Sequence, residues 1–135
     1  MREGIGAGLG GWAITMFVMT FVGLLFGVGR DAAGGVKPEV PEMVRAIVGL
    51  PLVTKVALVC SAGFFEELFF RSFLQARTGL LLSTVLFTAS HASYGMPFML
   101  VGVFTVSVVL GRVFERRADV VPCMVAHAVF DAIQL

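Results

Sequence analysis

The sequence predicts an all-α fold, a polytopic bundle of about five transmembrane helices. Two features of composition and one of pattern lead there. Apolar residues make up 58% of the 135-residue chain and charged residues only 14%, against about 45–50% and 25% in ordinary soluble domains. Mean hydropathy is +0.95. The apolar residues also gather into long runs divided by short Gly-, Pro- or charge-marked turns, and a helix needs about 20 such residues to cross the hydrocarbon core. A surface with so few charges suits lipid better than water.

The first run, about Ile5 to Val28, exceeds the roughly 7–15-residue core of a signal peptide and reads as a span. Gly29 to Arg45, with Gly34, Gly35, Pro38 and Pro41, reads as a polar external loop. A second, over-long helix is expected from about Pro41–Val44 to Ala76, with Pro51 as a potential kink and Lys55 snorkelling outward. Thr78-Gly79 is a tight turn, and the third helix runs from about Leu80 to Ala92. After the Ser93-Tyr94-Gly95 turn, the fourth runs from about Met96 to Phe114. Glu115-Arg116-Arg117 forms a charged turn. The fifth begins near Asp119, tolerates Pro122 in its first turn, and runs to the end. Residues 1–43 thus form a first span with its loop, and residues 44–135 a core. Arg2, Arg77, Arg112, Arg116 and Arg117 fall on one side of the bilayer, which predicts a cytoplasmic N-terminus. The Gly4/Gly8, Gly6/Gly10 and Gly23/Gly27 pairs are suited to helix packing, although 16 glycines produce such pairs by chance. A net charge of +1 gives no basis for nucleic-acid binding. Cys60 and Cys123 lack the spacing of a zinc finger and read as small buried hydrophobes.

Ionisable side chains within spans are costly and mark function by default. Here they are Glu66, Glu67, Arg71, His91, His127 and Asp131. If the second and third helices form a hairpin at Thr78-Gly79, Glu66 and His91 both lie roughly 18–20 Å from the turn. His127 and Asp131 lie roughly 15–21 Å beyond the Arg116-Arg117 turn. One layer of the membrane therefore collects an acid and two imidazoles from three helices. Glu67 and Arg71 have the i,i+4 order that favours an ion pair, and His127 and Asp131 share a face. Glu66 lies about 100° around from Glu67 and faces elsewhere, with Phe70 and Phe73 expected to keep it dry. Ser90 and His91, as helix neighbours, are expected to point apart, leaving no paired serine nucleophile.

A carboxylate set among apolar side chains is an effective general base. Glu66 beside a histidine is placed to deprotonate a water that attacks a peptide carbonyl. His127, with residue 131, is placed to stabilise the oxyanion. No H-E-x-x-H helix is present, but two histidines and a carboxylate (Glu66, His91, His127) are also a known zinc set.

The segment F-F-E-E-L-F-F-R-S-F-L-Q (Phe64 to Gln75) resembles the E-E-x-x-x-R motif of the CAAX-protease and bacteriocin-processing family, also called Abi. F-T-A-S-H (Phe87 to His91) is similar to its F-x-x-x-H motif, and H-A-V-F-D (His127 to Asp131) to its H-x-x-x-N/D motif. The resemblance covers about Val44 to Leu135. It implies an intramembrane endopeptidase related to the type II CAAX prenyl endopeptidase, in a prokaryotic cell membrane. Its substrates would be peptides or membrane proteins, and its tasks those of CAAX processing, bacteriocin maturation or self-immunity. Glu66 would be the catalytic base, Glu67, Arg71 and Phe87 its supports, His91 the partner activating water, and His127 and Asp131 the oxyanion site. That chemistry requires no cofactor; the family's frequent description as metalloproteases supplies a divalent metal such as zinc as the alternative. A non-catalytic immunity or scaffold protein of the same fold is the other alternative. Asp131 departs from the Asn of the prenyl-protease branch. An ionised Asp only accepts hydrogen bonds, so it is either protonated or orients His127. The chain is short for the family, as expected of a minimal core or a start placed late.

Overall fold

The structure is a computed structural model that describes residues 1–27, 41–94 and 97–134. Of the expected loop from Gly29 to Arg45, residues 29–40 lie outside the described residues and Glu42 to Arg45 are helical rather than loop. Among the described residues all regular structure is helical.

Helix α1 spans Arg2–Phe26 and closes on Gly27, whose φ of 69° places it in the left-handed region that suits glycine. Helix α2 is short, Glu42–Val48, and helix α3 starts afresh at Leu52 and runs to Glu67. The over-long second helix is thus two helices, because proline at 51 cannot donate the hydrogen bond that continuity requires. Lys55 consequently sits in the first turn of α3, near its end.

At Leu68 the chain widens into a π-helix that continues to Gln75. Helix α4 covers Ala76–Ser90 and is broken at Gly79 (φ 82°, ψ 172°), a backbone conformation open to glycine, which is the expected first turn. A 3-10 turn, Ala92–Tyr94, leads to α5, Pro97–Arg117. Arg116 and Arg117 are its last helical turn rather than a loop, where cations complement the helix dipole. Helix α6, Val121–Ile133, has Pro122 in its first turn.

Helix α6 packs against α1, α3 and α5, while α4 lies on α5 and the π segment. Helices α1 and α5 are each long and apolar enough to cross a membrane. The distribution of side chains is inverted relative to a soluble protein. Phe17, Phe21, Leu24, Phe65, Phe69 and Phe73 are more than half exposed, whereas Glu67, Arg71 and Ser107 are fully buried. An exposed apolar surface of this extent would aggregate in water; in lipid it is ordinary. The apolar core is small: Val106, Leu110, Ala126 and Phe130, with Ala7 and Trp12 packed against it.

Glycines bring α1 close to α6. A Cβ on Gly8 would stand 2.7 Å from the Ala126 carbonyl oxygen, and one on Gly4 2.8 Å from that of Pro122. Gly6 and Gly10 face open space, so Gly4/Gly8 is the packing pair. Cys123 is buried, as expected, but Cys60 is exposed on α3; both are free thiols.

Ends of the bundle are also paired. Arg117 donates to Glu3 at 2.6 Å, placing the end of α5 beside the start of α1.

Candidate active site

Glu66 and Glu67 are successive residues at the end of α3, so their side chains leave the helix about 100° apart. Each finds a different histidine. Glu67 is fully buried; its Oε2 accepts from Arg71 Nε at 2.9 Å and its Oε1 from His127 Nδ1 at 2.9 Å. Glu66 remains 32% exposed at the side chain, and its Oε2 is 3.7 Å from His91 Nε2. That oxygen is itself buried and accepts no hydrogen bond among the described residues.

The sequence grouped Glu66, His91 and His127 around one point. In the structure His127 Nδ1 is bonded to Glu67, while His91 Nε2 lies 3.7 Å from Glu66; His127 remains within electrostatic reach of Glu66. Phe87 still links the two imidazoles. Its ring centroid is 4.6 Å from that of His91 and 6.0 Å from that of His127, with Arg71 Cζ 5.2 Å away. Asp131 is within electrostatic reach of Glu66, His91 and His127, and its Oδ2 is 3.5 Å from His127 Nε2.

Proton positions on the imidazoles follow from their partners. Phe87 carbonyl oxygen can only accept, so His91 Nδ1, 2.8 Å away, donates to it and Nε2 faces Glu66. Glu67 is held by a permanent cation, so its Oε1 accepts from His127 Nδ1 and His127 Nε2 faces Asp131.

Two expectations fail locally. Ser90 Oγ does come within 3.2 Å of His91 Nδ1, because His91 has left helical geometry (φ −95°, ψ 3°). Both groups donate to the same Phe87 carbonyl, at 2.7 and 2.8 Å, so Nδ1 is not a base for the serine. Phe73 does not shield Glu66. It stacks on Phe69 and lies under Arg77, half exposed, because the wide π turn rotates it away from its α-helical position. Phe70 is buried against Phe87.

The sequence reading missed the polar residues behind Arg71. Its Nη1 donates to Gln75 Oε1 at 3.4 Å and its Nη2 to Ser107 Oγ at 3.1 Å. Glu67, Arg71 and Gln75 repeat at i, i+4, i+8, a signal visible in the sequence; Ser107 carries none, since span serines commonly bond their own backbone.

The donors do not fit a zinc ion. A catalytic zinc holds three protein ligands at about 2.0–2.2 Å, and among the described residues no three His, Cys, Asp or Glu groups converge in that way.

A family model described as type II CAAX prenyl endopeptidase Rce1-like matches residues 48–133. The uncharacterized protein YpbD of Bacillus subtilis (strain 168) is 34% identical over 71 residues, which are 52% of this chain and 38% of that protein. The chain thus matches well under two thirds of this relative's length. No solved structure matches.

Proposed function

The chain belongs to the Rce1-like family of type II CAAX prenyl endopeptidases, and from that premise we propose that it is an intramembrane endopeptidase whose Glu66 and His91 activate a water. The observation that carries this reading is the Glu66 Oε2 atom, buried without a hydrogen bond from the described residues and 3.7 Å from His91 Nε2. That separation is too long for a direct hydrogen bond. A water oxygen at about 2.8 Å from each atom fits against both.

The reaction balances on these groups. Glu66 takes one proton of the water as its oxygen adds to the peptide carbonyl carbon. The carbonyl oxygen becomes an oxyanion, stabilised by an N–H from His127 Nε2. Asp131, 3.5 Å from that nitrogen, favours the imidazolium that such a donor requires. The C–N bond then breaks, and the proton on Glu66 passes to the leaving amine. Glu67 and Arg71 hold His127 in place and do not touch the reacting atoms. Substrates on this reading are peptides bearing a lipidated cysteine close to the C-terminus with residues still attached beyond it, or bacteriocin-type peptides lying in the bilayer. The Arg77, Arg112, Arg116 and Arg117 end faces the cytoplasm, together with the N-terminus paired to it through Glu3.

The test is Glu66→Gln in purified protein reconstituted into liposomes, with fluorogenic prenylated and unprenylated peptides. Loss of a positioned general base lowers kcat by about 10²–10⁴-fold, while thermal unfolding stays near that of the parent because Glu66 Oε2 accepts no hydrogen bond among the described residues. Parental cleavage by Glu66→Gln would refute the proposal.

A further inference from the structure

Helix α5 carries none of the motif residues, yet it meets the site through two polar contacts. Arg71 is fully buried, and its planar guanidinium points three donors in fixed directions. Nε goes to Glu67. Nη2 goes to Ser107 Oγ on α5 at 3.1 Å. Nη1 goes to Gln75 Oε1, one turn farther along the π segment, at 3.4 Å.

Both acceptors are themselves oriented. Gln75 Nε2 donates to the Gly111 carbonyl of α5 at 2.9 Å, so its oxygen must turn towards Arg71. Gly111 leaves room for this: a Cβ there would stand 2.9 Å from Gln75 Oε1. Ser107 spends its proton on Thr84 Oγ1 of α4 at 3.3 Å, leaving its lone pairs for Arg71. Thr84 lies one turn before Phe87, whose ring underlies the guanidinium. The chain of contacts therefore joins the helix of the acids to the helix of His91, with α5 as the template between them.

We infer that Ser107 and Gln75 are positioning residues: by fixing Arg71 from α5 they hold Glu67 against His127 Nδ1 and so aim Nε2 at the reacting carbonyl. This rests on the peptidase reading for its kinetic consequence, but not for its structural one. Removing Ser107's hydroxyl leaves Arg71 one direction short, and Glu67 and His127 then lose their fixed register.

The experiment uses the full chain in liposomes, with Ser107→Ala, Gln75→Met, Ser107→Thr and, as a control on the same helix, Thr105→Val. The Thr105 hydroxyl donates within its own helix, to the Val101 carbonyl at 2.7 Å. Two readouts are taken on each: steady-state cleavage, and 15N spectra of 15N-histidine-labelled protein, in which the two histidines report separately. Ser107→Ala and Gln75→Met lower kcat about ten- to hundredfold with KM within twofold, as expected of lost orientation. They also shift the His127 ring nitrogens and leave those of His91 in place. Ser107→Thr, which keeps the hydroxyl, restores both readouts, and Thr105→Val matches the parent.

Lower thermal stability with unmoved His127 signals and unchanged kcat would overturn the inference, reducing the contacts to the satisfaction of a buried cation. If Ser107→Ala does not fold, Gln75→Met and Ser107→Thr carry the same comparison. A protein that cleaves nothing, even as the parent, but whose His127 nitrogens shift in the clamp variants, would sink the peptidase reading and leave the positioning intact.

Discussion

Arg71→Met is the most informative perturbation of the buried network. The arginine and Glu67 are both fully buried and their ion pair is 2.9 Å long. Methionine removes the charge and three hydrogen bonds at once, those to Glu67, Gln75 and Ser107. It leaves the Glu67 carboxylate with His127 as its remaining partner. Breaking a buried ion pair from one side costs about 3–5 kcal/mol, because an uncompensated charge remains. Neutral hydrogen bonds between membrane helices average only about 0.6 kcal/mol, so the two cases are well separated. The double variant Glu67→Gln/Arg71→Met removes both charges and is less costly than the sum of the singles, with a coupling of about 2 kcal/mol or more. Unfolding in mixed detergent–SDS micelles, followed through Trp12 against the α5–α6 core, measures all three. Additive single and double variants, or a loss for Arg71→Met near 0.6 kcal/mol, would refute the ion pair as the centre of the bundle.

Three further outcomes are expected. Gly8→Val destabilises by about 1–3 kcal/mol through overpacking, since the new Cβ meets the Ala126 carbonyl, whereas Gly6→Val, which faces open space, stays within about 0.5 kcal/mol; equal losses in the same unfolding assay would contradict the α1–α6 contact. Chelator treatment followed by dialysis leaves cleavage unchanged, and activity lost and then regained with zinc would show that a third ligand reaches Glu66 and His91. Asp131→Asn lowers kcat about tenfold, or about 1.4 kcal/mol, through loss of the charge 3.5 Å from His127 Nε2, and His127→Ala lowers it more; parental kcat in the Asp131→Asn variant would mean that the carboxylate charge is unused.

Much of this architecture is legible in the residues. Run length and turn residues place α1, α4, α5 and α6 to within a few positions, and the depth of Glu66 and His91 from the Thr78-Gly79 turn puts them together. The pairing of His127 is not legible. Glu66 and Glu67 differ in sequence by one position, and which of them meets α6 depends on how α3 is rotated in the bundle, a tertiary property. The π segment has no local signature either, because its extra residue per turn is selected by the packing of Phe70, Arg71 and Gln75 rather than by propensity. Glycine pairs pose the same difficulty: Gly4/Gly8 and Gly6/Gly10 have identical spacing, and only the neighbouring helix distinguishes them.

Two identical letters side by side invite the view that one is a spare for the other. The angular step between Glu66 and Glu67 makes them strangers instead. One carboxylate is walled in and committed to holding scaffold and imidazole together; its neighbour keeps an oxygen that accepts no hydrogen bond among the described residues, beside the other imidazole. Exchanging their tasks would require turning the whole helix, so neither can stand in when the other is lost.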